Sequence, residues 1–158
     1  MEIRLLFATP DAESQALLNS LLASALELTP LHVTVNYATT PEALLARAQA
    51  GADDVVVLDW LMAKSETAAL VAQLSAANPQ VRVVALLPES YRQYRKQVWQ
   101  AGACSSIAKE NMEQEWFSSV LCIMHRAMQR EARLHALYQG MNIEETVREP
   151  TACCSAVD

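Results

Sequence analysis

Glycine is almost missing from this chain. Only Gly51, Gly102 and Gly140 occur in 158 residues, and no two are close together. A phosphate-cradling loop or a dinucleotide-binding turn needs several glycines in a short span, so that backbone N–H groups can approach the phosphates. Neither can be built here. Histidine is as scarce: His32, His125 and His135 are scattered, and no nucleophile–His–acid set can be argued from them. The four cysteines, Cys104, Cys122, Cys153 and Cys154, contain no C-x-x-C pair. A disulfide between the adjacent Cys153 and Cys154 would close a strained ring. Free thiols in a reducing compartment are therefore expected, with the terminal pair a candidate redox or modification site. The last four residues, SAVD, have no cysteine for prenylation.

Positive charge is in the minority, 12 Lys and Arg against 18 Asp and Glu, for a formal net charge of −6. That balance argues against a nucleic-acid backbone or an anionic membrane as the main partner. No apolar run reaches the roughly 18 residues of a membrane span. The N-terminus, MEIRLLFATPD, makes a poor signal peptide, because Glu2 and Arg4 break its short apolar run. A cytoplasmic protein is expected.

What remains is 52% apolar, enough for a packed core, and a length that suits one domain with a short appendage. Short apolar runs alternate with helical patterns. The runs are Ile3–Ala8, His32–Tyr37, Val55–Asp59, Val81–Leu87 and Cys104–Ala108. The patterns are Glu13–Leu28, Pro41–Gly51, Glu66–Ala77 and Tyr91–Ala101, and a last one opens near Asn111. Strict β-α alternation implies a parallel sheet covered by helices on both faces. Thr9-Pro10-Asp11 and Thr40-Pro41-Glu42 each offer a Thr cap, a Pro at the first helical position and an acid facing the positive end of the helix dipole. Gly51 and Gly102 stand where helices should stop.

Within "VVVLDW", residues 55–60, four apolar residues read as a central strand buried on both faces. The carboxyl end of such a strand opens into the crevice where doubly wound sheets bind ligands. Asp59 sits there. It is either a turn-capping acid or a functional one. Trp60 either covers that crevice or packs on the helix that follows.

With Asp59 closing the third strand, and Gly102-Ala103 then Ile107-Ala108-Lys109 around the fifth, the chain resembles the receiver domain of response regulators, over roughly residues 3 to 125. The CheY-like and NarL-like branches are the nearest. The resemblance implies a flavodoxin-like, doubly wound α/β fold with five parallel strands in the order 2-1-3-4-5. It also implies that Asp59 matches the phosphoryl acceptor and Lys109 its lysine partner. Family receivers hold Mg²⁺ with an acidic pair after the first strand, but the matching positions here are Ala8 and Thr9. Asp11 is nearby and reads as a helix-cap residue. The hydroxyl that reports phosphorylation in the family is matched by Leu87, which has none. Lys109 is followed by Glu110 where many receivers have Pro.

Phosphoryl transfer to a carboxylate needs its charge neutralised, largely by metal. Mg²⁺ favours oxygen ligands, including one or two protein carboxylates. An Asp59–Lys109 pair would satisfy both charges without it. The leading expectation is a pseudo-receiver: no catalysis, no cofactor, and action through a protein partner or a homodimer. One alternative is a phosphorylatable receiver with Mg²⁺ held by Asp59 and Asp11. Another is a redox or small-ligand sensor that uses the strand-end crevice or the terminal thiols.

Two surfaces suit protein contact. YRQYRKQVW, residues 91–99, brings Tyr91, Arg92, Tyr94, Arg95, Lys96 and Trp99 onto one helix, with Val98 facing the core. Such an aromatic-basic face fits an acidic partner, although a merely solvated face has the same pattern. Residues 112–139 read as one helix, about 42 Å long at 1.5 Å per residue. Along it Trp116, Val120, Met124, Ala127, Leu134 and Tyr138 recur at spacings of mostly three or four, and Gly140 is its expected end. The expected division is a receiver-like domain at 1–125, a helical extension at 126–140 and a mobile tail at 141–158. An unpartnered amphipathic helix is marginal in water, so the extension should pair with a second copy, fold back or dock.

Overall fold

The computed structural model describes residues 2–146. Five strands, β1 (Glu2–Ala8), β2 (His32–Ala38), β3 (Val55–Asp59), β4 (Arg82–Leu87) and β5 (Ser105–Ala108), alternate with five helices. These are α1 (Ala12–Leu28), α2 (Pro41–Gln49), α3 (Thr67–Ala77), α4 (Arg95–Gln100) and α5 (Gln114–Thr146). Every strand pairing is parallel, and the sheet order is β2-β1-β3-β4-β5, as expected. Strand order reverses at β1, so the carboxyl ends of β1 and β3 flank a crevice.

Burial follows position in the sheet. The central strand β3 is buried at all five of its positions, Asp59 included, because a strand covered by helices on both faces has no solvent side. β4 is buried from Val83 to Leu87. The edge strands β2 and β5 are largely half-exposed. Leu6, Val56, Leu58, Val83, Ala85 and Leu87 form one core layer with Leu44 of α2, Leu70 and Leu74 of α3, and Val98 of α4.

The Thr cap holds at α2 and fails at α1, where the reading of Asp11 as a cap residue holds instead. Thr40 caps α2 by accepting the Ala43 N–H at 3.2 Å, with Pro41 at the first position. At α1 the cap is Asp11, not Thr9: its carboxylate accepts the Ser14 N–H at 3.0 Å and the Ser14 hydroxyl at 2.6 Å. The Thr9 hydroxyl is engaged elsewhere. The helix expected over Tyr91–Ala101 is also shorter. Glu89–Tyr94 form 3₁₀ turns, bent at Tyr91 (φ −111°, ψ 24°), and α4 begins only at Arg95.

The glycine stops hold, and they differ in a testable way. Gly51 has φ +61° and open space where a Cβ would stand, whereas Gly102 has φ +116° and a Cβ there would lie 2.8 Å from Ser75 Oγ. Gly51→Ala is expected to cost about 1 kcal/mol for the left-handed backbone. Gly102→Ala should cost about 2–3 kcal/mol, since backbone strain adds to the clash. Urea denaturation of both variants checks the order; equal losses would mean that Ser75 simply rotates away.

The chain divides into two compact units, Met1–Met124 and His125–Asp158. In the first, Phe117, Val120, Leu121 and Met124 of α5 are buried, and the Phe117 ring lies 6.1 Å from Phe7 of β1. Met124, expected on the extension, thus belongs to the first unit's core. In the second, α5 runs through Gly140 to Thr146 rather than stopping there. One Gly inside a helix costs only about 1 kcal/mol, and the MNIEET that follows contains no helix breaker. The first six residues of the expected tail are therefore helical. Its remainder, with Cys153 and Cys154, lies outside the described residues. Leu134, Leu137, Tyr138 and Met141 of this unit are exposed. No helix among the described residues is long and apolar enough to cross a membrane.

Candidate functional site

Three strand ends converge on one carboxylate. Asp59 ends β3 and has no solvent exposure at all. Its Oδ2 accepts the Thr9 hydroxyl at 2.7 Å and the Lys109 ammonium at 3.0 Å. Its Oδ1 accepts the same ammonium at 3.2 Å and the Leu61 backbone N–H at 3.2 Å. Thr9 directly follows β1 and Lys109 directly follows β5, so the sheet order itself brings these side chains together across 50 residues in each direction. A buried carboxylate loses its hydration and is tolerable only when charge and hydrogen bonds replace it. Here an ammonium, a hydroxyl and an amide do so. Lys109 keeps 22% of its side chain exposed, so only one end of the pair is dry.

The turn-capping reading of Asp59 is seen directly, and an ion pair accompanies it. It caps the turn at Trp60–Met62 through the Leu61 N–H, and it forms the ion pair with Lys109. Thr9 is the partner that sequence reasoning missed. Its buried hydroxyl also accepts the Asp11 N–H at 3.2 Å, so it links β1, the start of α1 and Asp59. Asp11 itself is occupied as the α1 cap. The Ser14 hydroxyl and N–H hold its carboxyl below the usual carboxylate range, and the Lys109 charge adds a smaller push in the same direction. Ala8, buried at the end of β1, carries no donor atom, and Leu87, buried at the end of β4, brings no hydroxyl.

Trp60 belongs to the core cluster that includes Leu70, Val71 and Leu74 of the helix after it. It is buried, with its ring stacked 5.0 Å from Tyr91 and tilted 4.9 Å from Tyr94. The aromatic-basic face is therefore divided. Tyr91 and Tyr94 cover Trp60 beside the site, while Arg92, Lys96 and Trp99 remain on the surface, Trp99 at 51% exposure. Arg95 is half-buried. Glu110, at the unusual position after Lys109, accepts the Glu89 N–H at 2.9 Å and ties the segment after β5 to the one after β4. Nothing in the local sequence signals that bond, because its partners lie 21 residues apart. Ala127, Leu134 and Tyr138 lie in the second unit, away from the strand ends in sequence.

The architecture has clear relatives among solved structures. A putative pilus assembly-related protein from Burkholderia pseudomallei superposes with a TM-score of 0.63, at 20% identity, over 77% of this chain and 88% of its own. The receiver domain of a sensor histidine kinase from Pseudomonas aeruginosa, with a magnesium ion coordinated in its active-site cleft, gives 0.60 at 16% identity over 80% and 97%. The chemotaxis protein CheY4 of Vibrio cholerae gives 0.62 at 17% identity over 78% and 99%. Such identities establish a shared fold. No curated protein sequence is a match. The family signature of the response regulator receiver domain, however, matches residues 12–121. That span holds β2 to β5 with Asp59 and Lys109, and most of the chain: the protein belongs to the response regulator receiver domain family.

Proposed function

We propose that this receiver works without phosphorylation, as a cytoplasmic pseudo-receiver that signals through protein–protein contact, including contact with a second copy of itself. The observation that carries this reading is the state of Asp59: buried, with each oxygen already accepting two hydrogen bonds from the chain's own donors. An in-line attack on a phosphoryl group needs a carboxylate oxygen free to approach it.

The residues present do not fit Mg²⁺. The metal takes oxygen ligands in a near-octahedral set and relies on carboxylates for charge. Ala8 has nothing to offer, Thr9 points a neutral hydroxyl at Asp59, and Asp11 is committed to Ser14. Among the described residues no three His, Cys, Asp or Glu side chains gather as a metal site. The Pseudomonas receiver has magnesium in its cleft; under this reading the Asp59–Lys109 ion pair takes the place of such an ion here. The alternative, a phosphorylatable receiver, requires Asp11 to leave its cap and Lys109 to release Asp59. The contact surfaces under this reading are the Arg92–Lys96–Trp99 face and the exposed Leu134, Leu137, Tyr138 and Met141 of the second unit, which suit docking or self-association.

Incubation with acetyl phosphate is the test. Intact mass is expected to stay unchanged with or without Mg²⁺, and the sedimentation profile with it. A gain of about 80 Da, one phosphoryl group, that needs Mg²⁺ and vanishes in Asp59→Asn would make Asp59 a working switch and end this reading.

A further inference from the structure

Beside the Asp59 site lies a cavity of about 180 Å³, lined by Leu87, Glu89, Arg92, Arg95, Ala108 and Asn111. We infer that it is a binding site for a small anion bearing a carboxylate or phosphate group, held by Arg95 and Arg92. This inference stands apart from the phosphorylation question and rests on different residues.

Arg95 is the first reason. Its Nε is fully buried yet has no hydrogen-bond acceptor. Buried guanidinium N–H groups are almost always satisfied, and the side chain that carries this one lines the cavity with no acceptor for its guanidinium among the described residues. Arg92 is the second reason. It lines the same cavity three residues earlier, and among the described residues neither arginine forms an ion pair. Two unpaired cations side by side run against the overall charge of −6. Their planar forks match the paired oxygens of a carboxylate or phosphate. Glu89 is the obvious internal competitor, since it lines the cavity too, but its carboxylate pairs with neither arginine. Asn111 adds an amide that can donate.

Size narrows the ligand class. The cavity has room for about six waters at roughly 30 Å³ each. That is below the ~300 Å³ at which pockets for drug-sized molecules begin, so a nucleotide does not fit, whereas inorganic phosphate or a four-carbon dicarboxylate does. Ala108 immediately precedes Lys109, so a bound anion would lie one residue from the ion pair at Asp59.

The test is a ¹H–¹⁵N NMR titration of the full chain with inorganic phosphate and, separately, succinate, against sodium chloride at matched ionic strength. Saturable shifts at Glu89, Ala108 and Asn111 are expected with at least one probe. Phosphate alone would mark a tetrahedral oxyanion site and succinate alone a carboxylate site. Arg95→Gln should weaken binding about tenfold or more, since a charge-assisted bond is lost. Arg92→Gln, at an exposed position with no effect on folding expected, should weaken it too. No saturable shift with either probe, the same shifts with chloride, or undiminished affinity in both variants would overturn the inference.

Discussion

Lys109→Met is expected to destabilise the protein by about 2–4 kcal/mol, and adding Asp59→Asn should restore most of the loss. Breaking a buried pair by removing one partner typically costs about 3–5 kcal/mol, because the other charge is left in a dry site. Two features reduce that figure here. Lys109 is 22% exposed, so some of its interaction with Asp59 is already screened. Asp59 also keeps the Thr9 hydroxyl and the Leu61 N–H after the lysine is gone. Asp59→Asn alone should cost less, about 1–2 kcal/mol, since the residual charge then sits on the partly solvated lysine, and the amide oxygen can still accept from Thr9 or Leu61. In the double variant no charge remains in the crevice, so the two effects should be strongly non-additive. Urea denaturation of the four proteins gives the coupling. If Lys109→Met unfolds at the wild-type midpoint, the ion pair is not what holds Asp59, and the locked-carboxylate account loses its basis.

The same pair explains which parts of this molecule are legible in its residues and which are not. The sheet is legible because β3 says what it is locally: Val55, Val56, Val57 and Leu58 allow only a strand buried on both faces, and the β-α alternation around them leaves little choice of topology. Asp59 and Lys109 are legible because strand ends in a parallel sheet fall at one edge. Two near-identical motifs mark the limit. Thr40-Pro41-Glu42 starts α2 with Thr40 as its cap, whereas Thr9-Pro10-Asp11 hands the cap to Asp11. The local physics is the same in both. The difference is Asp59, 50 residues away, a charged acceptor that takes the Thr9 hydroxyl. Tyr91 and Tyr94 follow the same rule. Their helical spacing is real, but stacking on Trp60 from another loop favours a bent 3₁₀ segment over a longer α4. Gly140 misleads in the opposite direction, suggesting a stop where no competing structure ends the helix. Long-range polar and aromatic partners, not propensities, account for the differences around the site.

Thr9 is also where the proposed misfit to a metal can be tested, by placing an acid there. Thr9→Asp is expected to destabilise the protein by about 2–4 kcal/mol without metal and to make its melting temperature rise with Mg²⁺, a response the wild type should lack. The hydroxyl now lies 2.7 Å from Asp59 Oδ2 and donates to it. A carboxylate there faces another at similar range. Like charges so close cannot both remain ionised unless a cation sits with them. Lys109 supplies one positive charge and already serves Asp59. The variant should therefore be strained alone, and a hard divalent ion with oxygen preference is the natural remedy. Stabilisation by mass action should then grow with the logarithm of Mg²⁺ concentration. EDTA should abolish it, and Thr9→Asn, isosteric with the aspartate but neutral, should never show it. Thermal melts across a Mg²⁺ series read all three proteins. A flat response in Thr9→Asp would mean that the lysine, and not the missing acid, is what keeps metal out, so that Lys109→Met combined with Thr9→Asp becomes the decisive variant. A rising response would show that one side chain, directly after β1, decides whether this crevice holds Mg²⁺.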